Sequence, residues 1–159
     1  MSILDKEKKI EMESLNALFE HATEGIIVSD KTGKIIKANP SSERLFLYKQ
    51  GELLGKTIED LVPMRYKANH TNHRESYNKN PHARSMGKNI DLFAKRSDDS
   101  EFPVEISLSY YKQNEETFVI AFIIDSHYLN RDTSFILRQY LADESPSLSN
   151  FALNFFNRM

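Results

Sequence analysis

The first stretch of the chain mixes apolar and charged residues with a helical period. Its apolar positions recur three or four residues apart among Lys and Glu: Ile3, Leu4, Ile10, Leu15, Leu18 and Phe19. This spacing predicts an amphipathic helix over residues 3–22 whose apolar stripe needs a surface to pack on. Positions spaced alternately four and three residues apart, from Leu4 to Ala22, are apolar except for Lys8 and Glu11. This coiled-coil-like spacing means that the surface is either the domain itself or a second copy of the chain.

Two short β-rich runs follow, GIIVSD and KIIKAN, on either side of the turn KTG. They predict a hairpin in which Gly33 adopts the positive φ that the turn requires. Asn39-Pro40 then predicts a helix start, with the Asn side chain as the cap and Pro at the first helical position. Short helices are expected at 41–47, 50–54 and 57–61, and a longer one at 64–79.

After Pro81 the apolar pattern changes to period two. In EFPVEISLSYY apolar residues alternate with Glu and Ser, which predicts a half-buried strand. In TFVIAFIID both alternating sets of residues are apolar, which predicts a central strand that is covered on both faces. A third strand is expected at 89–96. Two strands, then helices, then three strands indicate an α+β domain on a mostly antiparallel sheet.

The remainder of the chain carries two weaker helical patterns, at 133–141 and 147–156. Three phenylalanines in the second pattern form an apolar set that we expect to dock on the domain or on a neighbouring chain. The expected organisation is a flanking helix at 1–22, one domain at 23–125, and a tail or linker at 126–159.

Composition is that of an ordinary globular protein, with 40% hydrophobic residues, 28% charged residues and a net charge of −2. This balance gives no reason to expect nucleic acid or an anionic membrane as a partner. The lack of cysteine excludes disulfides, thiolate metal sites and cysteine nucleophiles. The charged start and the lack of a long apolar run favour a cytoplasmic protein. No glycine-rich, GxSxG or HExxH motif is present, so we expect a protein that is not an enzyme.

Three stretches resemble the PAS family of sensor domains. HATEGIIVSDKTGKIIKANPSSERLF is similar to the family's opening hairpin and Asn-capped helix, GELLGKTIEDLVP to its continuation, and KRSDDSEFPVEISLSYY to a later hairpin. The resemblance covers residues 19–125. It implies a five-stranded antiparallel sheet with helices on one face, which enclose a small pocket for haem, flavin or a metabolite, or fill it with side chains.

The resemblance also implies a role in signal transduction. PAS domains relay the state of their core through flanking helices to a sensor kinase or another output protein, and we expect a homodimer. The flavin-photosensing members need a reactive cysteine, so cysteinyl flavin photochemistry is excluded for this chain.

The segment YKANHTNHRESY poses the question of a cofactor site. On a helix, Tyr66, His70, His73 and Tyr77 are spaced four, three and four residues apart and share one stripe. Because this helix has little other apolar content, we expect the stripe to face the core. A zinc site needs more ligands than the segment offers, whereas a haem iron needs only one imidazole from the protein.

The resemblance supplies residues for the haem hypothesis. In oxygen-sensing haem PAS proteins the ligand histidine stands seven positions after a proline, and here Pro63 precedes His70 by seven; His73 is the weaker candidate. Those sensors place an arginine or a methionine on the other side of the iron. The matching positions here are Lys88 and Ile90, with Arg84 and Met86 close by, and this departure leaves the distal chemistry open.

Basic residues are concentrated in the same region. Residues 64–96 hold eight Lys or Arg and only two acidic residues. Arg74, Arg84 and Lys88 are candidates to hold haem propionates or an anionic metabolite, and ordinary surface charge explains them equally well. Three functions stay open: a small-molecule sensor, a haem-based gas or redox sensor with His70 on the iron, and a ligand-free adaptor for protein interaction or dimerisation.

Overall fold

The computed structural model describes residues 2–86 and 92–128 of the chain. The expected positions Lys88 and Ile90 and both helical patterns of the tail lie outside these residues. The helices are α1 (Ile3–His21), α2 (Pro40–Phe46) and α3 (Lys67–Lys79), with 3₁₀ helices at Ile58–Leu61, Met64–Tyr66 and Ser126–Tyr128. The strands are β1 (Gly25–Ser29), β2 (Ile35–Ala38), β3 (Arg84–Met86), β4 (Phe93–Lys95), β5 (Glu101–Gln113) and β6 (Glu116–Asp125). No helix in the described ranges has the length and apolar character needed to cross a membrane.

The strands form one antiparallel sheet in the spatial order β2-β1-β6-β5-β3. The start of β5 pairs with β4 and its middle pairs with β3, so two short strands share one edge position. The five-stranded α+β arrangement is therefore confirmed. Two local predictions are wrong: residues 50–54 form turns rather than a helix, and β3 was not expected, because Arg-Ser-Met lacks the β-rich alternation of a strand.

The inner face of the sheet, which is the face turned toward α2, forms the main core. Its buried side chains are Ile27, Ile35, Phe46, Leu53, Leu61, Ala94, Phe102, Val104 and Ile123. Phe46 of α2 and Phe102 of β5 meet edge to face with their ring centroids 5.5 Å apart, the arrangement that aromatic quadrupoles favour. Side chains of the protein fill this part of the interior.

Helix α1 packs on the opposite, outer face of the sheet. Phe19 is buried there with Ile26, Val28, Tyr111 and Ile120. These residues alternate along β1 and β6 with residues of the inner core, so β6 is a central strand covered on both faces, as predicted. Only the last turns of α1 rest on the sheet, because residues 2–14 are exposed.

Asn39 joins α1, β1 and α2. Its fully buried side-chain oxygen accepts hydrogen bonds from the backbone N–H groups of Ile26 at 2.8 Å and Ser42 at 2.9 Å. Its Nδ2 donates to the carbonyls of Phe19 at 3.2 Å and Glu24 at 2.9 Å. An amide side chain has two donor hydrogens and two acceptor lone pairs, and all four are used. The predicted cap of α2 is confirmed, and the same residue also holds the end of α1.

Arg96 holds the end of β6. Its Nη2 lies 3.1 Å from Oδ2 of Asp125, its Nε donates to the carbonyl of Leu45 at 3.0 Å, and its guanidinium lies 3.9 Å from the ring centroid of Phe102. The other oxygen of Asp125 accepts the backbone N–H of His127 at 2.9 Å. One guanidinium thus connects the last strand to α2 and to the start of β5.

Candidate functional site

Helix α3 turns a polar face toward the rest of the domain. Its buried and partly buried residues are Lys67, His70, Thr71, Arg74, Tyr77 and Asn78. Tyr66 and His73 are exposed, so the prediction that they face the core together with His70 and Tyr77 is wrong. The helix is rotated away from the predicted stripe because hydrogen bonds of its polar side chains, rather than apolar burial, decide which face turns inward.

Glu59, in the 3₁₀ helix Ile58–Leu61, is the centre of this polar contact. Its Oε1 lies 2.9 Å from Nε of Arg74 and 3.1 Å from Nδ1 of His70. Burial by itself raises the pKa of Glu59, but the hydrogen bonds from Arg74 and His70 outweigh it and hold the pKa below its usual value. The carboxylate therefore stays ionised and fixes the orientation of the His70 ring.

Arg74 and Asn78 also bind the turn between β1 and β2. Nη1 of Arg74 and Nδ2 of Asn78 donate to the carbonyl of Lys31 at 3.0 and 2.7 Å. Gly33 of this turn has φ +85°, and a Cβ atom there would lie 2.8 Å from Nε of Arg74. The Arg74 guanidinium thus binds Glu59 and the β1–β2 turn, and the structure does not place it to hold an anionic ligand.

Tyr77 is the buried aromatic residue of α3, with 5% of its surface exposed. Its hydroxyl donates to the carbonyl of His82 at 2.6 Å, and its ring lies 4.9 Å from the guanidinium carbon of Arg84. Burial raises the pKa of the Tyr77 hydroxyl. Arg84 stands opposite Leu108 in the β3–β5 pair, and Met86 stands opposite Ile106. The candidate residues therefore separate into two groups, one around Glu59 and one where Tyr77 meets β3.

Most cations of the basic stretch are paired with carboxylates outside it. The pairs are Arg65–Glu101, Lys67–Asp60, Arg74–Glu59, Lys95–Asp99 and Arg96–Asp125. These cations mainly link elements of the domain. The composition of residues 64–96 alone could not show this, because all five acidic partners lie outside that stretch.

The surroundings of His70 fit the chemistry of a haem ligand. Its Nδ1 is engaged by Glu59, and no hydrogen bond to its Nε2 is found within residues 2–86 and 92–128. Histidines that bind metals typically use one ring nitrogen for the metal and the other for a carboxylate or carbonyl. The side chain of His70 is 30% exposed, so the ring lies at the edge of the domain rather than deep in its core.

A family model described as PAS fold matches residues 13–126, and the chain belongs to this family. Sensor protein FixL of Bradyrhizobium diazoefficiens is 25% identical over 130 residues, which cover 77% of this chain and 25% of FixL. Oxygen sensor protein DosP of Escherichia coli is 22% identical over 102 residues, which cover 64% of this chain and 13% of DosP. The chain therefore spans a quarter or less of these curated relatives.

Among solved structures, the chain is similar to the PAS domain of an HTR-like protein from Haloarcula marismortui. The two are 26% identical with a TM-score of 0.62, and the match covers 76% of this chain and 98% of that chain. The resemblance that the sequence showed is thus confirmed at the level of family and fold, and the family has a role in sensory signalling.

The Glu59 cluster predicts a specific dependence of stability on pH. Because the folded-state pKa of Glu59 lies below its ordinary value of 4.5, its contribution is complete above pH 4.5 and is lost as the pH falls through the folded-state pKa. Glu59→Gln should lower the free energy of unfolding by roughly 2 kcal/mol at pH 7. It should also make the decline in stability as the pH falls below 4.5 shallower than in the wild type.

Urea unfolding followed by circular dichroism measures both effects. Glu75→Gln, which makes the same change at an exposed position of α3, is the matched control and should keep the wild-type profile. A Glu59→Gln profile that falls as steeply as the wild type would show that the cluster does not stabilise the fold electrostatically.

Proposed function

We propose that this chain is the input module of a signalling protein: it binds a small molecule between the sheet and α3, and the state of its core is relayed through both flanks. The observation that carries this proposal is that side chains of the core hold both flanks. Asn39 holds the end of α1, and Arg96 holds Asp125 at the end of β6. A ligand that favours one arrangement of the core would also favour one arrangement of the flanks.

We further propose that α1 pairs with α1 of a second copy. Ile3, Ile10 and Leu18 are 80%, 54% and 52% exposed. Ile3 and Ile10 are one heptad apart, as are Leu4 and the charged Glu11, and Leu18 follows one heptad after Glu11. An isolated helix of this length is marginal in water, and its first turns are exposed, with no packing surface among residues 2–86 and 92–128. A partner helix would cover these residues and connect two modules.

The names of the relatives support a sensory role. FixL is named a sensor protein and DosP an oxygen sensor protein. We propose a sensor kinase or a comparable regulator as the output partner. A binding and relay role is favoured over catalysis, because His70, Arg74 and Glu59 are engaged with one another in fixed contacts.

Native mass spectrometry of the purified chain tests both parts of the proposal. We expect a dimer that carries a small bound mass on each subunit. Ile10→Glu should weaken the dimer roughly tenfold or more, because it places a charge in the apolar contact. Asn16→Glu adds the same charge on another face of α1 and should leave the dimer intact.

A wild-type monomer, or equal behaviour of the two variants, would contradict the pairing of α1. A dimer without any bound mass would instead favour the adaptor function, which the filled inner core around Phe46 and Phe102 also favours.

A haem-based sensor is the second candidate function, and the pairing of His70 with Glu59 is the observation that favours it. His70 would hold the iron through Nε2, and Glu59 would orient the ring. Haem, when bound, would supply an iron centre that responds to gases and to redox state. Arg74 is bound to Glu59 and to Lys31, so it is not the residue that would meet the propionates.

Absorption spectroscopy after haem reconstitution tests this candidate. This candidate predicts a Soret band in the wild type, its loss in His70→Ala, and its retention in His73→Ala, since His73 is exposed. A protein that stays colourless after reconstitution, or two variants with the same spectrum, would remove haem from consideration.

A further inference from the structure

Arg84 has a guanidinium in an unusual position for a cation. It stands on β3 opposite Leu108, and in β5 Leu108 lies on the same side as Val104, which is buried in the inner core. The guanidinium lies over the ring of Tyr77, which is itself buried. The Arg84 side chain is therefore held between the inner face of the sheet and α3.

The Nε of Arg84 is buried and has no hydrogen-bond partner. No carboxylate of the described ranges pairs with this residue, although five other cations of the basic stretch have one. Arg84 as a whole is only partly buried, but a buried donor atom without a partner often marks the position of a water, an ion or a ligand. The ring of Tyr77 stabilises the positive charge from one face but accepts no hydrogen bond in the plane of the guanidinium.

The neighbours of Arg84 are apolar on the side of the sheet. Met86 follows two residues later on the same face of β3 and is opposite Ile106, which packs against the inner core. A ligand at this place would meet the cationic group and the ring of Tyr77 on one side and hydrocarbon on the side of the sheet. This combination suits a small organic acid, whose carboxylate and apolar body have different partners, better than a fully hydrated inorganic anion.

We propose that Arg84 is the anchoring residue for a small organic carboxylate in the core. Nε and one Nη of the guanidinium form the side-on fork that binds a carboxylate with two parallel hydrogen bonds. The ring of Tyr77 holds the fork in place, and the body of the acid lies against Met86 and Ile106. This inference rests on the proposed function as a core-ligand sensor and names the chemical class of its ligand.

A thermal-shift titration of the full chain tests the proposal. The probes are monocarboxylic and dicarboxylic acids of about three to six carbons, with inorganic phosphate as the comparison. We expect at least one acid to raise Tm saturably by about 5 °C or more in the wild type, and phosphate to have no such effect. Arg84→Met should abolish the shift, whereas Lys79→Met, which removes an exposed charge from α3, should keep it.

Arg84→Lys keeps the charge without the fork and should weaken binding roughly tenfold or more. The Nε–H resonance of Arg84 in wild-type protein gives a readout that needs no variant, and it should shift when the acid binds. A panel of acids that leaves both Tm and this resonance unchanged would overturn the proposal. It would also be overturned by an equal response to phosphate, or by a shift that Arg84→Met retains.

These outcomes are separable from the failure of the sensor function itself. A core ligand without a carboxylate, identified by its mass, would overturn the role of Arg84 and leave the sensor function standing. An acid that binds in an Arg84-dependent way but changes neither dimerisation nor the flanks would support the site and contradict the relay.

Discussion

The arrangement of this domain depends on the way in which α2 begins. The last carbonyls of α1 have no partners within the helix, and leaving such groups buried and unpaired would cost roughly 1–3 kcal/mol each. Asn39 satisfies the carbonyl of Phe19, and the hydroxyl of Ser41 donates to that of Ala22 at 2.5 Å. The residues that start α2 therefore also end α1. Helix α1 can rest on the outer face of the sheet only where these donors meet it, so its position is tied to the inner core.

The end of the last strand is held by the same principle with a charged group. Arg96 is bound to Asp125, to the carbonyl of Leu45 and to the ring of Phe102, so the end of β6 follows the position of α2 and β5. Directional polar contacts transmit orientation more specifically than apolar packing, because they require particular atoms to stay aligned. Both flanks are thus connected to the layer between sheet and helices in which a ligand is proposed to bind.

Local patterns predicted much of this structure. The hairpin with Gly33, the cap at Asn39 and the two-sided burial of β6 all follow from neighbouring residues, and all are confirmed. The orientation of α3 could not be predicted in this way. It is set by Glu59, which precedes His70 by 11 residues, and by the carbonyl of Lys31, which precedes Arg74 by 43 residues. Strand β3 was missed for a related reason, since pairing with β5 rather than strand propensity stabilises it.

Amide hydrogen exchange tests the central claim, that buried polar side chains make the flanking helix and the core one unit. In the wild type, the amides of residues 18–22 at the end of α1 should exchange about as slowly as those of β1. Asn39→Ala removes the bond to the Phe19 carbonyl at this end and the bond to the Glu24 carbonyl just beyond it. Exchange there should therefore become roughly tenfold faster or more, with β5 and β6 much less affected. Free exchange of this part of α1 in the wild type, or a uniform acceleration across all strands in the variant, would contradict the account.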